Sequence, residues 1–289
     1  MKIEKRTRGR NHSYYDLDTG SKIDGVTTIN GNGLPKPALI NWAGDATAEY
    51  AVDNWDELSK LSPSERLKRI KGGRYEKRDA AAAKGSTIHK LAERLIAGER
   101  VTVPDELTGY VQSAVRFLDE FDLRAVHVEA VVYSESRRHV GTLDLIADVR
   151  LPDLPEYDHI PRGEDGYSRG LFDWKTGRSG IFGDVALQLS PYRWSEYLVL
   201  PGGEVIDMPE VDFCAGIHLR ADGYSFVPLE CTEDTYRDFL YVKEVARIVD
   251  GLRDLVGEPI VPPTASQYVL TTPDQLDGDL APAAQPFEV

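Results

Sequence analysis

The stretch Gly170-Leu-Phe-Asp-Trp-Lys-Thr-Gly177 decides how this 289-residue chain is read. As a strand, its alternation sends Leu171, Asp173 and Lys175 to one face and Phe172 and Trp174 to the other. An acid and a base thus share one face of an otherwise apolar segment. Charged side chains seldom point inward together unless they pair or hold a metal. Thr176-Gly177 supplies the turn chemistry that ends the strand. The alternative is a simple ion pair on an edge strand, which contributes little energy. The surrounding sequence decides between the two.

Working outward, Val128–Tyr133 and Val140–Val149 alternate as strands on either side of a polar turn, Ser134 to His139. In the second, Leu143, Leu145, Ala147 and Val149 are expected on one face, and Thr142, Asp144, Ile146 and Asp148 on the other. Asp144 stands out because aspartate is disfavoured mid-strand; Asp148, one step further along, is expected to be solvated. The Pro- and Gly-rich segment 152–170 reads as an exposed loop. Downstream, Asp184–Leu200 reads as an amphipathic helix carrying Gln188 and Tyr192 four apart, with Pro191 forcing a kink or a new start. Val211–Arg220 and Tyr224–Leu229 form a hairpin, and Thr232-Glu-Asp opens a last helix.

Upstream, residues 12–30 read as a hairpin whose second arm is Val26–Ile29, followed by a break at Gly31-Asn-Gly33. Ala38–Asn54 has helical spacing. Ser62-Pro63 with Glu65 starts another helix, which continues through Ala80–Ala97. Gly85 marks either a break or a close approach, with Ser86 or Thr87 as an N-cap in the first case. His89 and Glu93 share a face. Asp105–Phe121 is a further amphipathic helix.

The hydrophobic content of 41% supports a real core, and the formal net charge of −14 argues against nonspecific coating of nucleic acid. Yet between Lys60 and Lys90, ten cations, among them Arg66, Arg69, Arg74 and Lys84, face only Glu65, Glu76 and Asp79. This local basic patch is the candidate DNA-binding surface, together with Ser86 and Thr87. Cys214 and Cys231 stand alone, which excludes a disulfide framework or a cysteine-bound metal site. Neither a signal-like apolar run near the start nor a membrane-length apolar stretch occurs, so a cytoplasmic protein without membrane contact is expected.

The ordered set Gly85-Ser-Thr-Ile-His89, Gly141-Thr-Leu-Asp144, Asp173-Trp-Lys-Thr-Gly177 and Gln188-x-x-x-Tyr192 resembles the PD-(D/E)XK nuclease superfamily, most closely its RecB-type exonuclease branch. The resemblance spans roughly residues 85–250. It implies an α/β (α+β) restriction-endonuclease-like core with a central mixed sheet flanked by helices. The expected organisation is a hairpin and helical region at 1–84, a nuclease core at 85–257, and an acidic, Pro-rich, disordered tail at 258–289.

By the same resemblance, His89, Asp144, Asp173 and the Trp174 carbonyl would hold Mg²⁺ or Mn²⁺. Lys175 would act on the attacking water or the developing phosphorane. Glu129 would be a further ligand or a partner of the ligands, and Gln188 and Tyr192 would brace the site or touch DNA. Two cysteines cannot supply the iron–sulphur cluster of the CRISPR-adaptation relatives, and no Walker motif is present. The expected activity is that of a stand-alone, phage-like DNA exonuclease. Its expected partners are DNA, a single-strand-annealing recombination protein and further copies of itself. The competing readings are a structure-specific or restriction-type endonuclease and a noncatalytic DNA-binding assembly protein.

Overall fold

The computed structural model describes residues 2–8 and 11–260. Met1–Asp250 form one unit and Gly251–Val289 a second, whose described regular structure is a single 3₁₀ turn, Leu252–Leu255. From residue 261 on, the acidic tail expected from the sequence lies outside the described residues.

An antiparallel three-stranded sheet opens the chain: β1 (Ile3–Arg8), β2 (Asn11–Asp16) and β3 (Lys22–Ile23). Four helices follow: α1 (Val26–Gly33), α2 (Pro37–Asp53), α3 (Trp55–Leu58) and α4 (Pro63–Ile96). The expected strand at Val26–Ile29 is instead the first turn of α1. Val26 and Ile29 are buried, and the Asn30 amide donates to the Leu187 carbonyl at 3.0 Å. Tertiary burial overrides the β-branched propensity of the segment, and Gly31 and Gly33 lie inside the helix rather than breaking it.

Helix α4 begins as read, with a Ser62/Glu65 capping box and Pro63 in the first turn. It then runs 34 residues without interruption. Gly85 is therefore no break, Ser86 and Thr87 are interior positions rather than caps, and the expected boundary at 84/85 falls inside a helix.

After α5 (Thr108–Glu120) come β4 (Arg124–Val128), β5 (Val131–Ser134), β6 (His139–Thr142), β7 (Leu145–Val149) and β8 (Ser168–Lys175). Next are α6 (Ala186–Arg193), β9 (Tyr197–Val199), β10 (Val205–Asp207), β11 (Phe213–Arg220), β12 (Gly223–Leu229) and α7 (Glu233–Gly251). The main sheet has the order β12-β11-β8-β7-β4, mixed because β8 and β11 run parallel while its other pairs are antiparallel. A second sheet has the order β10-β9-β5-β6. The chain is thus α+β.

Helices cover both faces of the main sheet. Phe172, Trp174, Leu145, Ala147 and Ile217 pack with Ile88 of α4 and Val111 and Phe117 of α5. On the other face, Leu171, Ile146 and Cys214 pack with α1, α6 and α7 through Ile29, Leu189 and Phe239. Both cysteines are buried, and no helix among the described residues is long and apolar enough to cross a membrane.

Two segments depart from expectation in ways that matter little to the site. The 152–170 loop is pinned rather than fully exposed: Ile160 and Tyr167 are buried, and Ser168 already belongs to β8. The expected helix to Leu200 ends at Arg193, soon after Pro191, because Tyr197–Val199 is drawn into the second sheet beside β5.

His139 of β6 is fully buried against the rings of Tyr236 and Phe239. Its Nε2–H donates to the Pro191 carbonyl at 3.3 Å, and Nδ1 has no partner. Burial pushes the imidazole down to about 4, with Lys243 adding to the effect. Below the unfolded value near 6.5 the unfolded chain therefore binds a proton that the folded chain refuses. Stability from this group is fully present above pH 6.5 and falls as the pH drops toward 4, by about 3 kcal/mol in total. Urea unfolding at several pH values should show this loss, and His139→Phe should flatten it; an equal slope in the variant would count against the assignment.

Candidate functional site

The reason Asp144 tolerates a mid-strand position is that it does not occupy one. The chain passes from the main sheet into the second and back again at two adjacent points. Glu129, with φ +51°, separates β4 from β5, and Leu143-Asp144 separates β6 from β7. The two corners are tied together: Glu129 N–H donates to the Asp144 carbonyl at 3.0 Å, and Leu143 N–H to the Ala130 carbonyl at 2.9 Å. Both acids thus sit at one level of the molecule. Leu143 consequently packs with Ile146 and Leu171, away from Leu145, Ala147 and Val149, contrary to the expected alternation. A left-handed backbone at a non-glycine residue costs about 1 kcal/mol, and here it accompanies the turn of the chain between sheets.

Strand β8 pairs with β7 as far as Phe172 opposite Leu145. Beyond that point β7 has no residue to accept from Trp174 N–H, and the Asp144 carboxylate takes its place, with Oδ2 at 2.9 Å. In an extended strand a residue's N–H and C=O point to the same side, so the Trp174 carbonyl is aimed at the same edge. Its indole lies on the far face, edge-on to Phe117.

Asp173 is only 3% exposed. Gln188 of α6 donates to its Oδ1 at 2.7 Å, and Lys175 forms an ion pair with Oδ2 outside regular hydrogen-bond geometry. The Lys175 ammonium also donates to Gln188 Oε1 at 3.3 Å. The alternation read from the sequence therefore holds for β8: the acid and the base share a face and meet. Burial, then the Asp144 charge, pushes Asp173 up to about 6, against the pull of Lys175 and His89.

His89 of α4 completes this side, its Nδ1 3.7 Å from Asp144 Oδ2. Burial, followed by Asp144 and Glu93, pushes Glu129 up to about 8. Glu93 thus joins the acids, and its position four residues after His89 was the sequence signal for it. Lys5 and Tyr14 also reach this corner: the Lys5 ammonium donates to Thr142 Oγ1 at 2.9 Å, and the Tyr14 hydroxyl lies 2.7 Å from the same oxygen. No local pattern announces either residue, because a separate sheet brings them in.

Two glycines permit the packing. A Cβ on Gly141 would stand 2.2 Å from the Tyr192 ring, and a Cβ on Gly85 would stand 3.1 Å from Thr176 Oγ1. Gly85 is therefore the close approach, bringing α4 to the turn after β8. His218 holds that turn, its Nε2–H donating to the Gly177 carbonyl at 2.6 Å. Tyr192 is 2% exposed and packs on β6 at Gly141 beneath the surface. Asp148 lies away from the site: partly exposed, it pairs with Arg169 at 2.7 and 3.1 Å.

The basic patch is more structural than its composition indicates. Arg66 donates to the Leu58, Ser59 and Leu61 carbonyls at 2.9, 3.0 and 3.1 Å, closing the end of α3. Lys77 pairs with Glu49 at 2.6 Å. Lys84 lies 4.0 Å over the Tyr110 ring, Arg74 donates to the Tyr75 hydroxyl at 2.8 Å, and Thr87 donates back to the Ala83 carbonyl. Arg69 and Ser86 are exposed.

In donor chemistry the site fits a hard divalent cation. The carboxylates Glu129, Asp144 and Asp173 outnumber the Lys175 and Lys5 ammoniums beside them, and oxygen donors with excess negative charge are what such an ion requires. Among the described residues, no three His, Cys, Asp or Glu side chains are already grouped so as to hold a metal ion. No family model and no curated protein matches the chain.

Proposed function

We propose that this protein is a metal-dependent deoxyribonuclease of the PD-(D/E)XK type that degrades DNA from its ends. The observation that carries the reading is the convergence of Asp144, Asp173, Lys175, Gln188 and His89 from one strand, a chain corner and two helices. An edge-strand ion pair needs only Asp173 and Lys175. It gives no reason for a second, half-buried acid tied to the backbone of the very next residue, or for a glutamine bridging acid and base.

Asp144, Asp173, His89 and the Trp174 carbonyl would hold Mg²⁺ or Mn²⁺, an ion that when bound supplies charge neutralisation at the phosphate and a more acidic water. Gln188 fixes the Asp173 carboxylate, and Trp174 N–H fixes that of Asp144, so both acids are held before substrate arrives. Lys175 places a positive charge beside Asp173, where it can orient the attacking water or meet charge growing on the phosphoryl oxygens. Glu129, crowded by Asp144 and Glu93, is a partner of the ligands, able to hold a proton at the edge of the site. Gly141 lets the Tyr192 ring of α6 lie directly on β6, which holds the helix that carries Gln188 against the site.

The test is a digestion time course with Mg²⁺ on end-labelled linear DNA beside covalently closed circular DNA. Loss of the linear substrate with the circle intact is expected. Cutting of the circle would make the enzyme an endonuclease, and survival of both would sink the nuclease reading.

A further inference from the structure

The face of α4 that carries His89 can be followed back along the helix in steps of three and four residues. It passes Ser86, Ala82, Arg78, Tyr75, Lys71 and Lys68, all exposed. Away from this face, Gly73 packs directly on the Tyr50 ring of α2 and Ile88 enters the core. At 1.5 Å per residue, Tyr75 stands about 21 Å from His89 along the axis. On the stripe itself, the stretch between them holds only Ala82 and Ser86 beyond Arg78, so the path to the site is low. Arg66, Arg69 and Lys84 fall off this face, which is why the patch read from composition is not the track.

Tyr75 is 45% exposed. The Arg74 and Arg78 guanidinium carbons lie 4.8 and 5.0 Å from its ring centroid. Arg78 is held in place by Asp79 at 2.9 Å. An aromatic ring between two guanidiniums, with Lys71 and Lys68 further along, combines a stacking surface with charge that suits phosphates. Bases in a duplex have their flat faces covered by neighbours, so only an unpaired strand can use such a ring.

We propose that this face of α4 is a single-strand track, in which a base stacks on Tyr75, Lys68, Lys71 and Arg78 neutralise the phosphates, and the strand is led to Asp144 and Asp173. The inference rests on reading those acids as a phosphodiester site, and it names the substrate as DNA presenting a single-stranded end. A base stacking on Tyr75 exchanges one guanidinium contact for base–aromatic overlap and frees that guanidinium for a phosphate.

The test is fluorescence anisotropy of the full chain with a labelled oligo(dT) and with a duplex of equal length, both in EDTA so that binding is read apart from cleavage. Tyr75→Ala should weaken oligo(dT) binding by about 5- to 100-fold, the loss of one base–aromatic stack. Tyr75→Phe should retain it, and the duplex should bind both variants as it binds the wild type. Equal oligo(dT) affinity in Tyr75→Ala, equal loss on the duplex, or no oligo(dT) binding by the wild type would each overturn the track. Tyr75-dependent binding by a wild type that cuts nothing in Mg²⁺ or Mn²⁺ would support the track as a strand-binding surface while removing the nuclease reading. Cleavage by a wild type whose oligo(dT) affinity ignores Tyr75 would do the reverse.

Discussion

Asp173→Asn and Lys175→Ala are each expected to lower DNA cleavage by about 10²- to 10⁴-fold while leaving DNA affinity close to that of the wild type. In the proposed mechanism both side chains would act where charge develops in the transition state, so their loss should appear in turnover rather than in binding. The fold should survive. Asp173 is a buried carboxylate whose desolvation already opposes its ionisation, and Asn keeps its shape while removing the charge. The thermal midpoint of Asp173→Asn should therefore match or exceed that of the wild type. Lys175 is partly exposed, so shortening it opens no core cavity. Single-turnover rates on labelled linear DNA, together with thermal melts, make the measurement, and wild-type turnover in either variant would remove the assignment.

The second large effect concerns the ion. Chelation by EDTA should abolish cleavage, Mg²⁺ or Mn²⁺ should restore it, and Ca²⁺ should support DNA binding with little cutting. The donor set is mostly hard oxygen, which all three ions accept, but Ca²⁺ tolerates looser geometry and is the poorer Lewis acid. Two acids already held, by Trp174 N–H and by Gln188, would give a fixed rather than an adaptable donor set, which sharpens this difference. Undiminished cleavage in excess EDTA would refute a metal-dependent mechanism. The acid cluster would then need another explanation, because three crowded acids, Glu129, Asp144 and Asp173, beside only Lys175 and Lys5 are costly.

Much of the architecture follows from local pattern. Alternation in 170–175 placed Asp173 and Lys175 together on one face, the Ser62/Glu65 pair marked the start of α4, and Gln188 came within reach of Asp173 from the helix expected around it. The spacing of His89 and Glu93 put both on the side of α4 that meets the acids. These features depend on neighbours three or four residues away, or on the strict period of a strand, and so they are written in the sequence itself.

Tertiary structure alone decided the rest. Glu129 and Asp144 belong to chain corners rather than strands, because the β4–β5 and β6–β7 segments divide between two sheets, and the division is set by which strands find partners. Val26–Ile29 is helical because α1 is buried against α6. Arg66 closes α3 instead of facing solvent, since the unsatisfied carbonyls at that helix end lie within its reach. Lys5 and Tyr14 arrive at the site from a sheet more than a hundred residues away in sequence. Each outcome is fixed by long-range burial and by the need to satisfy every backbone polar group, and no short window of residues carries that information.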